Sequence, residues 1–224
     1  MTVFVAPIVE GHSEVVALPA LLHRIWNEIL GCPFRLHVLD AARKHRDDLL
    51  KATSDTLEKA VNSAFVQARA LARQDRDSAS FGVVMLLVDA EGGCPAQLAP
   101  TLLIRAQQAR KDARVTCVLA NQMFENWIAA GAVGLAGLRL SEKCVLPATI
   151  QPPADPESVG GKHWVRQLLL DEAKHAYSET GDSADLVRAI DLATARATSP
   201  SFDKLCRELE KLIPSLPPAP PPAE

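Results

Sequence analysis

Val3–Glu14 reads VFVAPIVEGHSE, and the way its apolar run stops decides the fold. Val3 to Val9 is short, apolar and rich in β-branched residues, the composition of a buried strand. Glu10 and Gly11 end the run at once. Ser13 is placed to cap a helix that Glu14 opens, with apolar residues at helical spacing from Val15 to Leu30 and Gly31 as its stop. Pro7 lies inside the run and predicts an edge strand or a bulge there, because proline has no N–H to give to a ladder.

A second stretch, Val83–Gly93 (VVMLLVDAEGG), has the same design. Phe81 to Val88 is the strongest strand signal in the chain, and its unbroken apolar character suits a central parallel position. It ends in Asp89, with Glu91 two residues on, a spacing that turns both acids the same way while the chain stays extended. If both runs are neighbours in one parallel sheet, Glu10, Glu14, Asp89 and Glu91 gather at one edge. Functional groups of open parallel sheets collect beyond the carboxyl ends of the strands. Magnesium takes oxygen ligands and keeps several waters, so carboxylates from separate strand ends can hold one or two ions against a phosphate. Each acid alone has an ordinary use: near a helix N-terminus it stabilises by roughly 0.3–1 kcal/mol. Joint placement at two strand ends, each beside glycine, favours the metal reading.

Further along, Phe34–Leu39 alternates like a strand, Asp47–Ala72 has the spacing of one long helix, and Gln97–Lys111 has that of another. Arg114–Ala120 is a fourth strand, and a helix starts at Phe124 with Glu125 in its first turn. Strand and helix alternate in this rhythm in doubly wound sheets with right-handed crossovers. The expected fold is therefore α/β: an open, mostly parallel sheet flanked by helices over residues 1–131. Residues 132–213 are expected to form a helical extension packed on it, with helices over Gly161–Tyr177, Asp185–Ala197 and Ser201–Ile213. Residues 214–224 (PSLPPAPPPAE) form a Pro-rich flexible tail.

The chain has 224 residues, 48% of them hydrophobic, and a net charge of -3, so any nucleic-acid surface must be a local patch. The loop Arg43-Lys44-His45-Arg46 is one such patch. Five scattered cysteines without a Cys-x-x-Cys pair fit a reducing cytoplasm and exclude a structural zinc site or a disulfide framework. No apolar run approaches the ~20 residues of a membrane span, and no leader is visible, so a cytoplasmic protein is expected. Lys162 and His163, in GGKHW, are candidate phosphate contacts. The P-loop pattern GxxxxGK[ST] is absent. His12 lacks the histidine spacing of a zinc site.

Glu10-Gly11 after the first strand and the Asp-x-acid pair after a later one resemble the Toprim domain. This metal-dependent fold is shared by topoisomerases, primases, recombination-repair proteins and nucleases of the overcoming-lysogenization-defect type. The longer pattern VEGHSE, ANQMFENW, GGKHW and SPSF is similar to a bacterial Toprim-like family known as domain of unknown function 4276, over nearly the whole chain to about Leu212.

The resemblance implies Glu10 as general acid/base or metal ligand, Asp89 and Glu91 as the catalytic metal-binding pair, and Glu14 as a further metal ligand. Glu125 is a further candidate acid for the metal, and Asp185 matches a recurrent aspartate of the look-alike family. Glu91 stands where Toprim domains usually carry aspartate, and its extra methylene displaces the carboxylate. The single tyrosine, Tyr177, lies in the helical part, which argues against a topoisomerase. The implied activity is Mg2+- or Mn2+-dependent cleavage of DNA or RNA, beside a separately encoded ATPase in anti-phage defence. A non-catalytic subunit of such an ATPase complex, or a small-molecule phosphoryl- or nucleotidyl-transfer enzyme, are the alternatives.

Overall fold

The computed structural model describes residues 1–142 and 144–213; the Pro-rich tail lies outside them. The order is β1 (Thr2–Val9), α1 (His12–Arg24, continued by one π turn Ile25–Ile29), β2 (Arg35–Val38), β3 (Ala42–Arg43), α2 (Arg46–Leu50), α3 (Thr56–Gln74), β4 (Phe81–Asp89), α4 (Pro95–Ala109) and β5 (Arg114–Ala120). Then come α5 (Glu125–Ala130), a 3-10 turn (Ala132–Leu135), α6 (Gly161–Ala173), α7 (Ser183–Ala189), α8 (Leu192–Thr198) and α9 (Pro200–Glu210).

The sheet runs β2-β1-β4-β5, with β3 pairing β1 beyond the end of β2. Every strand pairing is parallel. The fold is thus the expected mixed α/β, an open parallel sheet between helices with a helical C-terminal portion.

Side chains alternate along the strands and build two cores. Val3, Val5, Val9, Val83, Met85, Leu87 and Val118 face one side, where they pack with α1, α5 and the C-terminal helices α6 to α9. Phe4, Ala6, Ile8, Val84, Leu86, Val88 and Leu119 face the other, under α2, α3 and α4. The C-terminal helices therefore share a core with α1.

Pro7 occupies an interior strand, not an edge or a bulge. The carbonyls of Val5 and Val9 accept from Leu39 and Lys44 on the β2/β3 side, so the backbone N–H and C=O groups of odd-numbered β1 residues point that way. Pro7 points the same way, into the gap where β2 has ended and β3 has not begun, and its missing N–H costs no ladder bond.

Three helix expectations change. Asp47–Ala72 is broken at Lys51–Asp55, where Lys51 is extended and the Ser54 hydroxyl accepts the Thr56 N–H at 3.2 Å to start α3. Asp185–Ala197 is broken at Ile190–Asp191, because Asp191 caps α8 through the Thr194 N–H at 2.6 Å. The helix from Gly161 stops at Ala173, where Lys174 turns left-handed, so Tyr177 sits in a connector. The first helix is capped at Gly11, not Ser13, and Ser13 lies buried inside its first turn. Among the described residues, no helix is long and apolar enough to cross a membrane.

Candidate functional site

The register of the two central strands builds the site. Val9 pairs with Leu87, so the chain leaves β1 at Glu10 beside the end of β4, which closes with Asp89. Gly11 then turns the chain into α1, whose first turn brings Ser13 and Glu14 back over the strand ends. A Cβ at Gly11 would lie 2.4 Å from a Glu14 carboxylate oxygen, so a larger residue here would displace the Glu14 carboxylate. Glu14 Oε1 accepts the Gly11 N–H at 3.1 Å, which makes it a capping residue as well as a site acid. After β5 the chain enters α5 with Glu125 in its first turn, and this buried acid accepts from the Ser13 hydroxyl at 2.7 Å.

Glu10, Glu14, Asp89 and Glu125 thus lie within reach of one another's charge, and none of them makes a salt bridge among the described residues. Their carboxyl groups feel this. Burial pushes Asp89 up to about 9, helped by the charges of Glu14, Glu125 and Glu10. Burial likewise raises Glu14 to about 7, with Glu125 and Glu10 contributing. Glu10 is raised by burial and by Glu91, against the fields of Arg46 and His45. Two carboxylate oxygens, Glu10 Oε2 and Asp89 Oδ1, are buried without a hydrogen-bond partner among the described residues.

Glu91 behaves differently. The chain does not stay extended past Asp89: Ala90 and Glu91 donate to Ala120 and Gln122, and Glu91 takes a left-handed φ of 44°. This turn sends its side chain outward, 54% exposed and 3.8 Å from Arg46. The sequence spacing therefore misplaces Glu91, although its charge still reaches Glu10.

Two basic elements flank the acids. Arg43, Lys44 and His45 are exposed between β3 and α2, with Arg43 Nη1 3.5 Å from the Glu10 carbonyl. Arg46 is committed to the backbone, as its Nε and Nη2 donate to the carbonyls of Asp89 and Ala90, each at 2.9 Å. On the other flank, Gly161 lets α6 approach α5 closely: a Cβ there would lie 2.5 Å from the Asn126 nitrogen. That contact fixes Lys162 near Glu125. Burial pulls the Lys162 ammonium down, but its bond to Glu179 and the charge of Glu125 more than offset this, so it is raised. Its Nζ lies 2.9 Å from Glu179. His163 and His12 are exposed, and Asp185 is spent on Arg188 at 2.6 Å.

The place of one residue in the site escaped the sequence reading. The Tyr177 hydroxyl donates to Glu125 Oε1 at 3.1 Å and lies 2.7 Å from the Ser183 hydroxyl. Nothing local marks its place in the site, because Glu125 and Ser13 are 52 and 164 residues away along the chain.

The donor set suits a hard cation: carboxylate oxygens, two of them orphaned, with no ammonium or guanidinium in salt-bridge contact among the described residues. As they stand, no three His, Cys, Asp or Glu side chains among the described residues converge closely enough to hold a metal ion. Binding there requires the carboxylates to swing inward.

No curated protein and no solved structure matches the chain. Residues 9–210, from the last residue of β1 to the last residue of α9, match the family described as Domain of unknown function (DUF4276), and the chain belongs to that family.

Proposed function

We propose that this chain is a divalent-metal-dependent phosphodiesterase of Toprim type that cleaves DNA or RNA. The observation that carries the reading is the meeting of Glu10, Glu14, Asp89 and Glu125 from separate elements at the carboxyl edge of the sheet, with no cationic partner among the described residues. Like charges held together in this way cost stability unless a cation relieves them.

Asp89, Glu14 and Glu125 would hold Mg2+ or Mn2+, with Glu10 as a further ligand or as the general base. A bound divalent cation would supply Lewis-acid stabilisation of the attacking and leaving oxygens of the phosphodiester. Glu10 suits proton transfer because burial and Glu91 raise its affinity for a proton above that of an ordinary carboxylate. Arg43 and Lys44 on one flank, and Lys162 on the other, where it also pairs with Glu179, present positive charge to a phosphate chain crossing the acids. Arg46 holds the end of β4 and is not free to do so. Glu91, paired with Arg46, shapes the charge on Glu10 rather than joining the inner ligands. A role beside a separately encoded ATPase in phage defence follows from the family resemblance alone.

The test incubates the purified protein with plasmid, single-stranded DNA and RNA, with Mg2+ or Mn2+, and repeats this with Glu10→Ala and Asp89→Ala. Cutting by the wild type that both substitutions abolish is the expected result. Cutting that survives Asp89→Ala would remove the mechanism, and metal uptake without turnover would point to a regulatory subunit.

A further inference from the structure

We propose that Tyr177 is a positioning residue for Glu125, supplied by the C-terminal part of the chain to complete the acidic site; this rests on the metal reading above. Glu125 is buried at 2% exposure. A buried acid used only for structure normally meets a cation or has both oxygens satisfied, since a lone buried charge is costly. Glu125 has neither. Ser13 and Tyr177 both donate to Oε1, at 2.7 and 3.1 Å, and Oε2 receives no hydrogen bond among the described residues. Two neutral hydroxyls thus anchor Glu125 through Oε1 without cancelling its charge, Oε2 stays available to a cation, and the inward movement that binding requires falls to the other carboxylates. This is how outer partners hold metal-ligating carboxylates.

The tyrosine is itself held. With its own proton given to Glu125, its oxygen accepts from the Ser183 hydroxyl at 2.7 Å, in the first turn of α7. The connector that carries it is closed by Asp182, which accepts the Ser178 N–H at 2.7 Å and meets His175 Nε2 at 3.0 Å. The turn at Lys174 begins this connector, so Tyr177 reaches the site as part of a tied loop. A site built from β1, α1, β4 and α5 thereby depends on residues beyond α6.

Tyr177 is the chain's single tyrosine, so fluorotyrosine labelling gives one fluorine resonance. In the full-length, metal-free protein, Glu125→Gln is expected to move that resonance. Calorimetry with manganese(II) should then show Tyr177→Phe binding about tenfold more weakly than wild type. In the Glu125→Gln background, Tyr177→Phe should cost nothing further, which a general loss of folding would not produce. A resonance that Glu125→Gln leaves in place overturns the inference. So does manganese affinity unchanged by Tyr177→Phe, or the same loss in both backgrounds, and in those cases the metal reading stands. A wild-type protein that takes up no manganese overturns the metal reading and the service of Tyr177 to it together.

Discussion

Arg46 clasps the end of the strand that carries Asp89: its Nε and Nη2 donate to the carbonyls of Asp89 and Ala90, each at 2.9 Å, from a side chain only 16% exposed. The first residue of α2 thus ties down the turn on which the central acid depends. A cation so close would quench an acidic site if it paired with the carboxylates. Arg46 avoids this by spending Nε and Nη2 on backbone oxygens, while its Nη1 keeps long contacts of 3.5 Å to Asp47 and 3.8 Å to Glu91.

Removing this clasp should loosen the strand end. Arg46→Met keeps much of the apolar stem and deletes the charged donors, so about 1.5–3 kcal/mol of stability is expected to be lost, the range for hydrogen bonds made by a charged group. Urea unfolding of the metal-free protein measures it. Lysine has one compact ammonium in place of a planar fork, so Arg46→Lys should recover less than half of the loss.

The acidic cluster makes stability depend on pH in a definite direction. Asp89 binds its proton up to about pH 9 in the folded chain and Glu14 up to about 7, whereas the unfolded chain releases both near 4. Between those limits the folded state holds more protons, so raising the pH favours unfolding. The metal-free protein should therefore lose stability steadily from about pH 5 to pH 9. Asp89→Asn removes the largest contributor: its Tm should match wild type near pH 5 and exceed it by roughly 3–10 °C near pH 8.5, from about 1–3 kcal/mol at this chain size. Magnesium should raise the Tm of the wild type and not of the variant. Equal slopes of Tm against pH in the two proteins would show that Asp89 does not sit among like charges.

Asp89 and Glu91, two residues apart, should differ sharply in function. Glu91 is turned outward and half exposed, and acts on the site only through its field on Glu10. Glu91→Gln is expected to slow phosphodiester cleavage less than about tenfold, the effect of losing one solvent-screened charge. Asp89→Asn should slow it by at least about a hundredfold, as an inner ligand does. Single-turnover rates on a fluorescent oligonucleotide at saturating Mg2+ decide between them; equal losses would place Glu91 among the ligands.

Much of this was legible in the chain, and the exceptions have a common cause. Glu10, Asp89 and Glu125 follow strands whose apolar runs are unmistakable, and parallel pairing carries their ends to one edge without further information. The outward turn of Glu91 depends on its N–H reaching the Gln122 carbonyl, a contact between two loops that no spacing rule contains. The break between α2 and α3 is masked because Leu49, Leu50 and Leu57 continue an apolar period across it, and only Ser54 marks it locally. β3 is two residues long, too short for alternation to register. Tyr177 is the extreme case: its contact with the site is made through Glu125 and Ser13, both distant in sequence.

The pair Gly160-Gly161 offers a sharper test of packing around the site. The two glycines precede Lys162 and His163, the candidate phosphate contacts, but their surroundings differ. A Cβ on Gly160 would meet nothing closer than His163 Cβ at 3.7 Å, an ordinary contact, whereas one on Gly161 would lie 2.5 Å from the Asn126 nitrogen and 2.8 Å from the Glu125 carbonyl carbon. Neither has a left-handed φ, so space decides the outcome rather than backbone conformation. Gly160→Ala should leave stability within about 0.5 kcal/mol of wild type. Gly161→Ala must push α6 away from the first turn of α5, at about 1–3 kcal/mol. The same displacement moves Glu125 and Lys162 together, so manganese binding and cleavage should fall in Gly161→Ala and persist in Gly160→Ala. Were the glycines a phosphate cradle, both substitutions would weaken substrate binding alike, with stability unchanged.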